Sequence, residues 1–461
     1  MEATKRHEKI FLMMATLLTG SFITTLAETL MNNGLPMIME ETHVTQMNAQ
    51  WLNTGYMLVA GMVMPLASFC MKRFPLKRLF TMTMSVFLLG SIVSTFAPNF
   101  WVLLLGRLIQ AIAVGINMPL VTNVLTIIIP PQRRGLSLGI AGIIINLGPA
   151  IGPTLSGIIL EFYSWRMLFI ILIPITILTI IATQFWVRNV IEPAKISIDG
   201  WSACLAILGL GFLLYSLGRA GEPNQNILVT ILMVILGSGL LVIFVKRQFK
   251  ILDPLLDLSV FQSKRYCLGM GITLLVSAAI MAPELTLPLF NQDILKTSPI
   301  ISGMVMIPSA LIMASLSPLA GRLYDEFGIK QLAMGGTIVG LVAAIPMIFY
   351  DAQTSLVLVT VLYAIRCGGL ILSYTPADVY ALNAISKEQV TSGNTIIVTL
   401  IQVANSFGTA LAMSVQSIVQ QWNLDHDYGV HLAAIHGYQW SFGSTVIITL
   451  IACLLVTRIK K

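Results

Sequence analysis

Fourteen apolar runs of about 20 residues, separated by short polar segments, constrain this chain more than any motif does. They fall near residues 10–34, 49–70, 79–97, 100–122, 136–160, 167–187, 199–218, 226–245, 266–290, 300–321, 331–350, 354–376, 391–418 and 436–457. Twenty helical residues rise about 30 Å, the thickness of a bilayer's hydrocarbon core. Charged residues make up only 10% of the chain, against about 25% in soluble domains. The expected fold is an all-α polytopic membrane protein, lodged in the cell membrane and surrounded by lipid.

The formal net charge of +7 would suit a nucleic-acid partner if the basic residues were pooled, but they alternate by loop. With the N-terminus placed in the cytoplasm, 22 of the 27 Lys and Arg fall on the inner side and three on the outer: Arg166, Arg219 and Lys296. Arg107 and Arg366 lie inside spans. This is the positive-inside pattern. It predicts two cytoplasmic termini and explains the basic charge without nucleic acid. The first run has no small-residue cleavage site after it and is too long for a signal peptide. Cys70, Cys204, Cys267, Cys367 and Cys453 are scattered with no metal-ligand spacing and read as small hydrophobes. His426, His431 and His436 suit an exposed outer loop, so no metal is expected.

The chain repeats itself. PLASFCMKRFPLKRL at 65–79 and PLAGRLYDEFGIKQL at 318–332 agree at six of fifteen positions, at an offset of 253. Such a repeat predicts two six-helix halves related by an axis along the membrane normal. The expected organisation is an N-terminal bundle over 1–190, two inserted helices over 191–250 and a C-terminal bundle over 251–461. Lys246 to Tyr266 has basic ends around Leu255, Leu256, Leu258, Val260 and Phe261, the pattern of an amphipathic elbow at the membrane surface.

Charges inside the spans recur with the repeat. Glu28 in the first span has Glu284 in the ninth, and Arg107 in the fourth has Arg366 in the twelfth. An ionisable side chain in a bilayer needs a partner, a proton or water. An acid balanced between burial and a nearby guanidinium makes a reversible proton site.

The fifth run contains GIIINLGPAIGPTLSG at 142–157. Gly148, Gly152, Ser156 and Gly157 form a face on which another backbone can approach. Pro149 and Pro153 bend the axis, at a cost that neighbouring membrane helices offset.

These residues resemble the 14-helix branch of the drug:proton antiporters in the major facilitator superfamily, along essentially the whole chain. Gly148, Pro149, Gly152 and Pro153 match the fifth-helix antiporter motif, and SWRMLF at 164–169 follows as in that family. Gly106, Arg107, Gln110, Ala111 and Gly115 match the fourth-helix pattern, and DPLLDLSVFQ at 253–262 matches the elbow. Two departures stand out. Ala27 occupies the place of the usual first-helix Asp, with the acid one residue on at Glu28. Ser68, Lys72 and Pro75 also replace Gly, Asp and Gly in the first cytoplasmic loop, whereas the second copy keeps Gly321, Asp325 and Gly328 beside Arg322. The inner gate is therefore expected to depend more on the second copy.

The resemblance implies a major facilitator fold and proton-coupled export of amphipathic, cationic drugs by alternating access, with Glu28, Glu284, Arg107 and Arg366 as the coupling set. It implies a central cavity, for which Gln110, Met118, Asn146 and Tyr374 are candidate lining residues. The partners expected are a small-molecule substrate, protons and lipid, with a monomeric carrier and no cofactor beyond the proton gradient. Rival readings are an exporter of one endogenous metabolite, peptide or lipid, and a membrane sensor that does not transport. No nucleophile with a base, phosphate loop or ATP motif is present, so no enzymatic activity is expected.

Overall fold

The computed structural model describes residues 2–459, apart from 32–33, 45, 130–147, 149–150, 153–154, 191–198, 219–226 and 252–253. The described residues form helices and no strands. In the first half these are α1 (Glu2–Leu30), α2 (Leu35–Thr42), α3 (Gln46–Arg73), α4 (Leu76–Thr95), α5 (Phe100–Ile128), α6 (Met167–Ile170) and α7 (Leu172–Trp186). The inserted pair is α8 (Gly200–Gly218) and α9 (Ile227–Gln248). The second half holds α10 (Lys264–Asp293), α11 (Pro299–Met304), α12 (Ile307–Phe327), α13 (Ile329–Ala344), α14 (Leu356–Leu382), α15 (Val390–Asp425) and α16 (Val430–Thr457).

Thirteen spans among the described residues are long and apolar enough to cross a membrane. The fourteenth expected run, 136–160, lies largely outside the described residues, which keep Gly148, residues 151–152 and a helical stretch over 155–162.

Local chemistry sets the helix ends. The Asn99 side chain accepts from the Val102 amide at 3.0 Å and starts α5, and Ser263 does the same for Tyr266 at the start of α10. The two repeated loops make the same tight connection by different means. Gly328 joins α12 to α13 at φ +75° and ψ 174°, a conformation open essentially to glycine. Between α3 and α4, Pro75 sits at φ −56° and ψ 138° and starts the next helix without needing a left-handed residue.

Each half is held by an equivalent crossing. A Cβ at Gly90 on α4 would lie 2.7 Å from the Gly106 carbonyl oxygen on α5, and one at Gly336 on α13 would lie 2.6 Å from that of Gly369 on α14. Backbones this close leave no room for side chains. The first half also buries Leu17, Phe80, Met84, Leu120 and Val121 together. The second buries Phe290, Tyr350, Tyr438 and Phe442 near one end.

The halves meet where the basic loops cluster. Among the described residues, three polar contacts join them there. Ser68 Oγ lies 3.4 Å from Ser392 Oγ, Asn123 Nδ2 donates to Thr395 Oγ1 at 3.2 Å, and Asn394 Nδ2 donates to Thr122 Oγ1 at 2.8 Å. All lie at the ends of α3 and α5 and the start of α15.

The inserted pair packs asymmetrically. Trp51 on α3 stacks on Tyr215 of α8 with ring centroids 5.5 Å apart, and Leu214 fills the space above Gly61. On α9, by contrast, Leu228, Ile231, Leu232, Ile235 and Val242 point outward. In a membrane that face is solvated by lipid and needs no protein partner.

Two expectations change. The elbow is not a helix on the membrane surface. It is a short 3₁₀ turn, Leu258–Gln262, capped by Asp257, whose Oδ1 accepts from the Ser259 amide at 3.0 Å. Leu255, Leu256, Leu258 and Val260 are buried with Ala206, Phe244, Tyr266, Leu382 and Ile396, so its apolar side faces protein rather than lipid. The outer loop expected to hold the histidines is also mostly helix. Helix α15 has 36 residues and is about 54 Å long, well beyond the hydrocarbon core, and His431 and His436 already belong to α16. Among the described residues no His, Cys, Asp and Glu group could hold a metal ion.

Candidate functional site: two facing acids and their arginines

Arg107 is completely buried at the meeting of α1, α3 and α5. Its Nη1 donates to the Ala27 carbonyl at 3.0 Å and to Gln110 Oε1 at 3.1 Å. Its Nε donates to the Leu52 carbonyl at 3.3 Å, and the guanidinium sits 4.0 Å from the centre of the Tyr56 ring. Tyr56 in turn donates to the Thr24 carbonyl at 3.1 Å. Ala27 belongs to the last turn of α1, so the arginine ties that end of the helix to α5.

Arg366 holds the first helix of the second half. Its Nη2 donates to the Ala279 carbonyl of α10. Residue 283, four positions on, is proline, which has no N–H to offer that carbonyl. Each buried arginine thus donates to a main-chain oxygen of its half's first helix, and the one at Ala279 is left open by Pro283. Arg107 Nη2 and Arg366 Nε and Nη1 have no hydrogen-bond partner among the described residues, so both guanidinium groups keep donors in reserve.

Glu28 sits beside its anchor rather than on it. Glu28 follows Ala27 directly and is half-buried. Arg107 is near enough to attract it, yet no ion pair joins the two among the described residues. Glu284 follows Pro283 on α10 and is also half-buried. The two carboxylates are close enough to repel each other. First helices of opposite halves therefore bring both acids into one field.

The recurrence of these acids is not residue for residue. Registered on the carbonyls that the arginines hold, Ala27 corresponds to Ala279, and Glu284 stands four positions beyond the equivalent of Glu28. Four helical residues are about 6 Å along the axis. The two acids thus occupy different depths relative to their own arginines.

Gly148 and Gly152 pack against the same turn of α1. A Cβ at 148 would overlap Thr25 Oγ1 and lie 2.9 Å from the Leu26 amide nitrogen, and one at 152 would overlap Thr29 Oγ1. The glycines of the fifth span therefore press on either side of Glu28 within the first half. Pro149, Pro153 and Asn146 lie outside the described residues.

Of the candidate lining residues, Gln110 is fully buried between Arg107 and Ser91, to whose Oγ its Nε2 donates at 2.8 Å. Met118 on α5 and Tyr374 on α14 are half-buried. At the second loop copy, Gly321 is buried, Arg322 is exposed and Asp325 lies within α12. In the first copy Ser68 reaches across to the other half.

Sequence reasoning missed three polar groups. Asn117 is buried and donates to Thr24 Oγ1 at 3.4 Å beside Tyr56. Asn123 spans the two halves. Asp378 is a half-buried acid on α14, one turn from its end, with one carboxylate oxygen fully buried. Each lies within a span or at its edge, and a polar residue there was the signal available.

Comparisons with known proteins agree with this architecture. The family model described as Major Facilitator Superfamily matches residues 17–409. The Bacillus subtilis (strain 168) protein YcnB, named as an uncharacterized MFS-type transporter, is 35% identical over 96% of this chain and 94% of its own. The lincomycin resistance protein LmrB of the same organism is 32% identical over 91% of this chain and 87% of its own. The crystal structure of the human organic anion transporter MFSD10 superposes with a TM-score of 0.68 at 14% identity, covering 96% of this chain and 99% of that one, which is a likeness of fold. With a family match over most of its length and relatives of 35% and 32% identity covering nearly all of it, the chain belongs to the Major Facilitator Superfamily and is a multi-pass membrane transporter, not an enzyme.

Proposed function

We propose that this transporter is a proton-coupled antiporter that exports amphipathic, cationic compounds by alternating access, with the proton gradient as its energy source. The observation that carries this reading is the pair Glu28 and Glu284: two half-buried carboxylates from opposite halves in one field, neither held in an ion pair among the described residues. Two repelling acids bind a proton or an organic cation more readily than either acid would alone. Because both ligands relieve the same repulsion, they compete. Competition at a shared site is the minimum that antiport requires.

The rest of the site supports this assignment. Arg107 and Arg366 fix the first helices by their carbonyls and so hold the acids in position without neutralising them directly. Gly148 and Gly152 fit the fifth span against α1 at the same level, leaving little room for water to pass. The polar contacts among Ser68, Thr122, Asn123, Ser392, Asn394 and Thr395 close the basic-loop end. With that end cytoplasmic, the site faces outward, the state in which an exporter releases cargo and takes up a proton. A relative named for lincomycin resistance supports a drug as cargo.

Proton release on binding tests the reading. Adding ethidium or tetraphenylphosphonium to the purified carrier in weak buffer should release protons, and the release should fall in both Glu28→Gln and Glu284→Gln. Binding of either cation with no proton release in the wild type would refute direct competition. A neutral or anionic metabolite that displaces protons when the cations do not would favour the metabolite exporter.

A further inference from the structure

Asp378 is used nowhere in the mechanism above, although it is a half-buried acid in a membrane helix. Its Oδ1 is fully buried and has no hydrogen-bond partner among the described residues. It lies on α14 four residues before Leu382, toward the basic-loop end. The backbone of α10 presses on α14 around it: a Cβ at Gly269 would lie 2.8 Å from the Ala377 carbonyl oxygen and 2.9 Å from the Ala381 amide nitrogen. The ionisable groups whose fields meet it are Tyr266 from α10 and Tyr374 one turn back on α14. No lysine or arginine among the described residues acts on it.

Tyr266 connects this acid to the contact between the halves. It is fully buried, and its hydroxyl donates to the Gly393 carbonyl at 2.8 Å. Gly393 stands between Ser392 and Asn394, which touch Ser68 and Thr122 of the other half. A Cβ at Gly393 would meet Tyr266 Cε2 at 3.4 Å, so ring and backbone are in direct contact. From acid to gate the geometry therefore runs from α14 at Asp378 to α10, packed on it at Gly269 with Tyr266 one turn away, and on to Gly393 and the two polar contacts beside it.

We propose that Asp378 is a further proton-binding site, separate from Glu28 and Glu284, whose occupancy controls the closed state of the basic-loop gate through Tyr266 and Gly393. A charged carboxylate in a membrane interior needs a donor, a cation or water. The closed gate supplies none of these to Oδ1, whereas a protonated acid needs only ordinary packing. Opening the gate parts α15 from α3 and α5, lets water reach this end of α14 and allows the proton to leave on that side. A proton that binds the closed and open states unequally shifts their populations. Asp378 acts through Tyr266 and touches no substrate, so it is a positioning residue for the gate.

The inference rests on the transporter reading but not on exchange of drug for proton, and its test keeps the two apart. Nitroxide labels are placed at Arg73→Cys and Lys387→Cys, both exposed at the basic-loop end. The full chain carries Glu28→Gln and Glu284→Gln to silence the other acids, and its native cysteines are replaced. Electron–electron distances are read in lipid nanodiscs, without substrate, from pH 5.5 to 8.5. The expected result is a short distance at low pH and a growing long-distance population as pH rises. Asp378→Asn should lose that response and keep the short distance throughout. Tyr266→Phe should show the long-distance population even at low pH, a readout that does not depend on the Asp378 variant folding. A pH response in Asp378→Asn equal to its parent's, or a parent that does not respond, would overturn the proposal. Absence of gradient-driven flux in the wild type, with this response intact in the labelled chain, would instead defeat the antiport reading alone.

Discussion

Replacing Gly152 by alanine adds one methyl group at the contact between the fifth span and α1. Its Cβ would overlap Thr29 Oγ1 and lie 3.0 Å from Thr29 Cβ and 3.4 Å from the Leu30 amide nitrogen. Overpacking by one methyl costs about 1–3 kcal/mol, and the upper half of that range applies because the overlapped atom belongs to a β-branched side chain with little rotamer freedom. The severe overlap is with one side-chain oxygen, so it can be relieved: Gly152→Ala with Thr29→Ala should recover about 1 kcal/mol or more relative to additivity. Position 148 provides the contrast. There the obstruction includes the Leu26 amide nitrogen at 2.9 Å, which no side-chain change removes, so Thr25→Ala should rescue Gly148→Ala poorly. Equilibrium unfolding in mixed detergent–SDS micelles gives the four energies of each cycle. Gradient-driven flux should fall in the single variants, because separating the helices moves Glu28 away from Arg107. Unchanged stability in Gly152→Ala, or strictly additive energies in the Thr29 cycle, would refute the packing account.

Three other outcomes follow from the geometry. Arg107→Lys keeps the charge but cannot span the Ala27 and Leu52 carbonyls and Gln110 together, so it should destabilise by about 2–4 kcal/mol; Tm measured against Arg107→Gln checks whether charge or geometry matters more. Gly328→Ala should cost about 1–3 kcal/mol, since φ +75° with ψ 174° is strained for any residue with a Cβ, whereas Pro75→Ala in the other loop should cost less than half of that by the same assay. The Arg166 guanidinium beside Glu41, bonded at 2.7 Å, and the Trp165 indole, donating at 2.6 Å, hold that carboxyl below the usual carboxylate range. A lowered acid stabilises the fold above its unfolded value, about 4.3, and loses that contribution as pH falls. The wild type should therefore exceed Glu41→Gln in stability at pH 7, by no more than about 1 kcal/mol for so exposed a pair, and the gap should narrow steadily as pH falls below the unfolded value.

Much of the fold was legible because the bilayer imposes a length. Apolar runs near 20 residues became helices at nearly the expected places, and Glu28, Glu284, Arg107 and Arg366 stood out because a charge inside such a run is conspicuous. What the arginines hold was hidden. Their partners are the Ala27 and Ala279 carbonyls, and main-chain oxygens leave no mark in a sequence beyond Pro283. The elbow misled because burial in protein and burial in lipid select the same amphipathic pattern, so Leu255 and Leu256 could not declare which they faced. Asp378 escaped notice because it follows Pro376, where the apolar run ends although α14 continues to Leu382. The length of α15 was underestimated for a related reason: polar residues such as Gln416, Gln420 and Asn423 continue a helix outside the membrane as readily as a loop.

The central claim is that protons and cationic cargo share the site formed by Glu28 and Glu284. The most direct measurement is ethidium movement in proteoliposomes under an imposed pH gradient, with wild type, Glu28→Gln and Glu284→Gln compared at equal incorporation. The account predicts gradient-driven movement in the wild type and its loss in at least one variant that still binds ethidium. Gradient-driven flux at the wild-type rate in both variants would contradict it, because the two acids would then be structural and the proton would travel by another route.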